Sequence, residues 1–139
     1  MFRGSCHCGA VSVEFGTKND PATLVPRACD CTFCTRHAAM YVSDPLGTLS
    51  ITAKRALQTF TQGSNNAQFL ACGVCGVLVA VVYDQAGRMF GAVNVRCIDD
   101  ASKFATSMPA SPQQLSAAEK IARWTSLWIP DVSLTIAAG

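Results

Sequence analysis

Seven of the eight cysteines in this chain fall into three tight groups: Cys6-x-Cys8, Cys29-x-Cys31-x-x-Cys34 and Cys72-x-x-Cys75, with Cys97 alone. On an extended segment side chains at i and i+2 point the same way, so Cys6 and Cys8 can present two thiolates to one cation. A Cys-x-x-Cys pair in a tight turn presents two more, and four thiolates around a tetrahedral centre make a closed structural zinc site. Cys6, Cys8, Cys72 and Cys75 complete such a set. It would pin the N-terminal segment to a turn far along the chain, with metal binding offsetting the entropy of closing that loop. Four buried, reduced, metal-free thiols are the alternative.

The middle group, "CDCTFC", is of a different kind, because no fourth cysteine stands beside Cys29, Cys31 and Cys34. Three protein ligands and one vacant position characterise a reactive zinc rather than a structural one. Asp30, His37 or Cys97 could instead supply the fourth ligand and close the site. His37, three residues past Cys34, is the most reachable of these. His7 lies between two ligands, and its side chain is expected to point away from their metal.

The rest of the chain must position these thiols. "AVSVEF" alternates, with Val11, Val13 and Phe15 on one face, as in a half-buried strand. "LSITA" is a short strand candidate, preceded by the turn "DPLGT", and "QGSNNAQ" is a loop. "FLACGVCGVLVAVVYD" reads as two strands joined by a metal-clasped turn, where Gly76 suits a positive φ. "GRMFGAVNVRCI" is the last strand candidate, in which Cys97 points into the core as a small hydrophobe. In "SPQQLSAAEKIARWTSLW", Ser111 as N-cap, Pro112 at the first helical position and Gln114 in a capping box predict a helix of about four turns. Its stripe of Ala117, Ile121, Trp124 and Trp128 is expected to pack on the sheets rather than line a ligand pocket.

At 139 residues the chain suits one domain over 1–139, long enough to bury a core without disulfides. Half of the residues are hydrophobic and 14% are charged, which argues against disorder. The longest apolar stretch, "GVCGVLVAVVY", is about half the roughly 20 residues that a spanning helix needs. The start "MFRGSCHCGA" does not read as a secretory signal, so a cytoplasmic location is expected, where clustered thiols favour metal over disulfides. The formal charge of +2 comes from scattered basic residues, so neither nucleic acid nor a membrane is an expected partner.

"GSCHCGAV", "CDCTFC", "FLACGVCG" and "NVRCIDD", in this order and spacing, resemble the family of glutathione-dependent formaldehyde-activating enzymes, which includes centromere protein V; "ARWTSLWIPDV" also looks like its closing segment. The resemblance implies a mainly β fold of several coiled antiparallel sheets around zinc, shared with a Rab-associated exchange factor and methionine sulfoxide reductase B, here with a C-terminal helix. It implies a structural zinc on Cys6, Cys8, Cys72 and Cys75 and a catalytic, more labile zinc on Cys29, Cys31 and Cys34. The implied activity is that of a carbon–sulfur lyase, joining glutathione or another small thiol to formaldehyde or another small aldehyde. Three thiolates make zinc a soft centre that favours a fourth sulfur. A thiol ionised there becomes the nucleophile that adds to the aldehyde carbon, giving a hydroxymethyl thioether. For a general acid, His37 and Asp30 are candidates by proximity alone. The chain departs from the family after the third thiol, where "TRHAA" leaves only Arg36 and His37 to supply polarity. Two other readings are a zinc-stabilised binding module without chemistry, and a sulfoxide reductase, for which Cys97 would be the one nucleophile outside the zinc sites.

Overall fold

The strand-forming segments of the computed structural model, which describes residues 1–137, assemble into two sheets. The first contains β1 (Phe2–Ser5), β2 (Val11–Gly16), β5 (Thr48–Ala53) and β11 (Asp131–Ile136), in that order across the sheet. The second runs β10 (Met108–Ala110), β3 (Arg27–Cys29), β4 (Tyr41–Val42), β9 (Arg88–Asn94), β8 (Leu78–Gln85), β7 (Gln68–Cys72) and β6 (Leu57–Phe60). The molecule is mainly β, as expected, but its sheets are mixed. β11 lies parallel to β5 and β10 parallel to β3, while the other pairs are antiparallel. Two helices, α1 (Thr32–Arg36) and α2 (Ala117–Leu127), complete the regular elements that position the site.

The alternation read in "AVSVEF" holds: Val11, Val13 and Phe15 are buried, and they pack in one core with Leu49, Ile51, Val82 and Ile129. A second core gathers Tyr41, Phe69, Phe90, Trp124 and Trp128. β8 divides the two. Its unbroken apolar run, read as one arm of a hairpin, sends Val79 and Val82 into the first core and Leu78 and Val81 into the second, as a strand buried on both faces must. Each core carries one group of thiols: Cys6 and Cys72 belong to the first, Cys31 and Cys34 to the second. Isolated bridges tie Gly4 of β1 to Ile98, in the segment after β9, and Gly91 of β9 to Ile129, just before β11. A Cβ at Gly4 would run into the Cys97 carbonyl, so only glycine permits that approach.

Two expectations are corrected. The C-terminal helix starts at Ala117, not after Ser111, and runs three turns rather than four. Ser116 is its N-cap: its Oγ accepts from the Glu119 amide at 3.2 Å while Glu119 Oε1 accepts from the Ser116 amide at 2.9 Å. Pro112–Gln114 forms a separate 3-10 turn, and Ser111 caps nothing because its hydroxyl donates to Asp30 Oδ2 at 2.5 Å. The strand predicted through Cys97 stops at Asn94, whose side-chain oxygen accepts from the Met40 and Arg96 amides and whose Nδ2 donates to the Leu78 carbonyl. Val95–Cys97 is a 3-10 turn instead, although Cys97 is buried as expected. After Pro130 comes β11, for which the sequence reading offered no element and which extends the first sheet.

Candidate metal centres and an adjoining cleft

The sulfurs of Cys6, Cys8, Cys72 and Cys75 lie within 4.8 Å of one another. Cys6 and Cys8 flank the start of the turn into β2, and Cys72 ends β7, from which the chain turns through Cys75 and Gly76 (φ 79°) into β8. A tetrahedron with Zn–S bonds of about 2.3 Å has edges of about 3.8 Å. Cys6 to Cys8 is 3.7 Å and Cys8 to Cys72 is 3.6 Å, so the donor set fits such an ion. Backbone amides converge on the same sulfurs: Val11 donates to Cys6 Sγ at 3.3 Å, and Val74 and Cys75 donate to Cys72 Sγ at 3.3 and 3.4 Å. Such donors favour the thiolate, the form that binds metal. Amide hydrogen bonds from Val77 and Cys8 bring the Cys75 thiol down to about 6.

The second group, Cys29, Cys31 and Cys34, also has its sulfurs within 4.8 Å of one another. Local folding explains this. Cys29 ends β3, Cys31 is the N-cap of α1 with its sulfur accepting from the Cys34 amide at 3.3 Å, and Cys34 lies one turn on along the same face. The hydrogen bond from Cys34 brings the Cys29 thiol down to about 6, with the Cys31 amide helping, and pushes Cys34 up in return. Tyr41 places its hydroxyl 3.2 Å from Cys34 Sγ, and Gln62 Nε2 donates to Cys31 Sγ at 3.8 Å. Burial first, then the Cys34 charge, raises Tyr41 well above the usual phenol range, so it stays a neutral donor.

None of the three candidate fourth ligands joins this group. His37 is exposed, with its ring 4.7 Å from that of Phe33. Asp30 is exposed and its carboxyl is lowered by the bond from Ser111. Cys97 lies in the core that holds Cys6 and Cys72; its Sγ bonds the Leu78 carbonyl at 3.4 Å and burial pushes its thiol up to about 12. His7 is exposed.

The three thiols sit in the wall of an open cleft, whose empty space comes to about 720 Å³ with the adjoining open solvent included. Its other walls hold features that the sequence reading missed. Trp124 and Trp128 are buried in the second core, as the helical stripe predicts, yet both also line the cleft, with ring centroids 5.1 Å apart. Arg27, Lys120 and Arg123 line it too, whereas Arg36 and His37 of "TRHAA" do not. Arg27 Nη2 donates to Ser43 Oγ at 2.7 Å, and the Ser43 hydroxyl donates to the Leu127 carbonyl at 2.8 Å. Burial and then the charge of Arg123 bring Arg27 down to about 10.

No helix among the described residues is long and apolar enough to cross a membrane. No curated protein matches the sequence. A crystal structure of a Rhodobacter sphaeroides protein superimposes with a TM-score of 0.58 at 26% identity, covering 76% of this chain and 99% of that one. A family model described as "Glutathione-dependent formaldehyde-activating enzyme" matches residues 1–113, which contain every cysteine of both groups and stop short of α2. This chain belongs to the family of glutathione-dependent formaldehyde-activating enzymes.

Proposed function

We propose that Cys6, Cys8, Cys72 and Cys75 hold a structural zinc, that Cys29, Cys31 and Cys34 hold a reactive one, and that the protein joins a small thiol such as glutathione to formaldehyde, a carbon–sulfur lyase-type reaction. The observation that carries this reading is the contrast in donor sets. Four sulfurs close the first group, whereas the three of the second face a cleft with no fourth metal-binding side chain converging on them among the described residues. When bound at the second group, zinc supplies a soft Lewis acid that draws a thiol's pKa towards neutrality.

The protein's own groups then have distinct tasks. Cys29, Cys31 and Cys34 fix three corners, with the Cys34 amide and the Gln62 side chain holding the Cys31 sulfur in place and Tyr41 holding Cys34. Phe69, Val81 and the two tryptophans form an apolar wall that limits water beside the thiols. In the reaction the substrate sulfur forms a bond to the carbonyl carbon as the C=O π bond opens. The aldehyde oxygen ends as a hydroxyl carrying a proton equivalent to the one the thiol lost, so no proton is gained or lost overall. The burial and raised pKa of Cys97 count against the sulfoxide-reductase reading, which needs it as a nucleophile.

Zinc-loaded protein is expected to speed S-hydroxymethylglutathione formation above its spontaneous rate, measured by exchange at equilibrium. Cys34→Ser is expected to abolish the acceleration while keeping the native circular dichroism and one of two zincs. Absence of acceleration with any small thiol, from protein carrying two zincs, would establish the binding-module reading in its place.

A further inference from the structure

The charges around the cleft are one-sided. Arg27, Lys120 and Arg123 line it and no aspartate or glutamate does. Among the described residues the one ion pair is Lys103 with Asp100, so none of the three cleft cations is paired. Arg27 is half-buried, and one of its five N–H donors is committed to Ser43; Lys120 and Arg123 make no side-chain hydrogen bond among the described residues. Partly buried cations without a counter-charge are costly, and a carboxylate that takes the free donors of a guanidinium recovers that cost as short, charge-assisted bonds. Lys120, Arg123, Trp124 and Trp128 recur at three- and four-residue spacing along α2 and its C-cap, which sets cations and rings along one side of the cleft.

We propose that this cleft selects a thiol substrate by its carboxylate, which Arg27, Arg123 and Lys120 receive while the stacked tryptophans cover its carbon skeleton. The inference rests on the reading that the three-thiol group binds the substrate sulfur, and it adds the part that would discriminate among thiols. Four of the five residues named, both tryptophans among them, belong to the segment beyond the family match at residue 113. Selection is thus assigned to this chain's own C-terminal segment. The thiol groups that do the chemistry lie in the part the family shares.

The chain has two tryptophans and both line the cleft, so intrinsic fluorescence reports on it directly. The probe is S-methylglutathione, which keeps both carboxylates but has no free thiol, added to the zinc-loaded protein. A saturable fluorescence change is expected. The diethyl ester of the same probe, Arg123→Gln and Lys120→Gln are each expected to weaken binding by about tenfold, the loss of one charge-assisted contact. Arg27→Lys checks the bound geometry, since a point charge replaces the fork, and weaker binding by a native-fold protein is expected. Equal binding of acid and ester overturns the proposal, as does displacement of the probe by inorganic phosphate at comparable concentration, which would mark a general anion site. The two readings fail separately. Charge-dependent binding without acceleration sinks the reaction and spares the selection, whereas equal acceleration with glutathione and its diester does the reverse.

Discussion

The two cysteine groups share a donor atom and differ in reach, number and exposure. The first joins Cys6 and Cys8 to Cys72 and Cys75 from strands far apart in sequence, and its four sulfurs close on one another at the edge of the larger core. The second is complete within six residues, has three sulfurs, and opens on a cleft. On the function proposed above, distance along the chain and the number of sulfurs together separate the two roles. A site that ties remote segments contributes its binding energy to folding, while one built on a single loop leaves the fold little dependent on its metal.

The contrast can be broken most severely at the first group. Cys72→Ser is expected to leave little soluble protein, because structural zinc sites in small domains contribute about 10–16 kcal/mol, as much as a typical domain's whole stability. A folded, metal-free variant seen by circular dichroism and metal analysis would erase the distinction. Stepwise chelation is a milder probe. One equivalent of metal should leave first with the circular dichroism unchanged, and the second should leave with the fold; joint loss would mean the two groups are not independent. The smallest effect is expected from Cys97→Ala. It deletes one buried sulfur from the first core and its bond to the Leu78 carbonyl, costing about 1–2 kcal/mol in denaturant unfolding. Both metals and any activity should persist, which would sharpen the assignment of Cys97 to packing alone.

What could be read in the sequence was whatever spacing alone determines. Cys-x-Cys and Cys-x-x-Cys bring sulfurs together by local geometry, and the alternation in Val11, Val13 and Phe15 follows from the pleat of β2. His37 shows where proximity misleads. Residues 31 and 34 share the inner face of α1, whereas position 37 sits four after Phe33 and packs tilted against its ring instead. Tyr41, Gln62, Arg27 and Arg123 carry no motif, and only the approach of β4, the loop after β6, β3 and α2 gathers them. The early helix start failed because Ser111, Pro112 and Gln114 carry a cap pattern that the contact of Ser111 with Asp30, 81 residues earlier, diverts, while Ser116 and Glu119 form the cap. β11 was missed because its six residues are largely exposed; pairing with β5 holds it, while Val132 and Leu134 rest half-buried against the first core.

The remote ligand set also bears on how the chain is made. During synthesis Cys6 and Cys8 emerge first, and Cys29, Cys31 and Cys34 follow well before Cys72 and Cys75 exist. Cys6 and Cys8, still without their partners, and the three thiols of the second group are then free to seize an ion together, a misligated trap that must be undone before β7 can bring in its cysteine. We expect refolding of the denatured, metal-free chain to be slower in excess zinc than in zinc held scarce by a buffer, followed by stopped-flow circular dichroism. Equal rates would show that no such trap forms. The yield of native protein in a cell would accordingly depend on how tightly zinc is rationed while the ribosome works through the first seventy-odd codons.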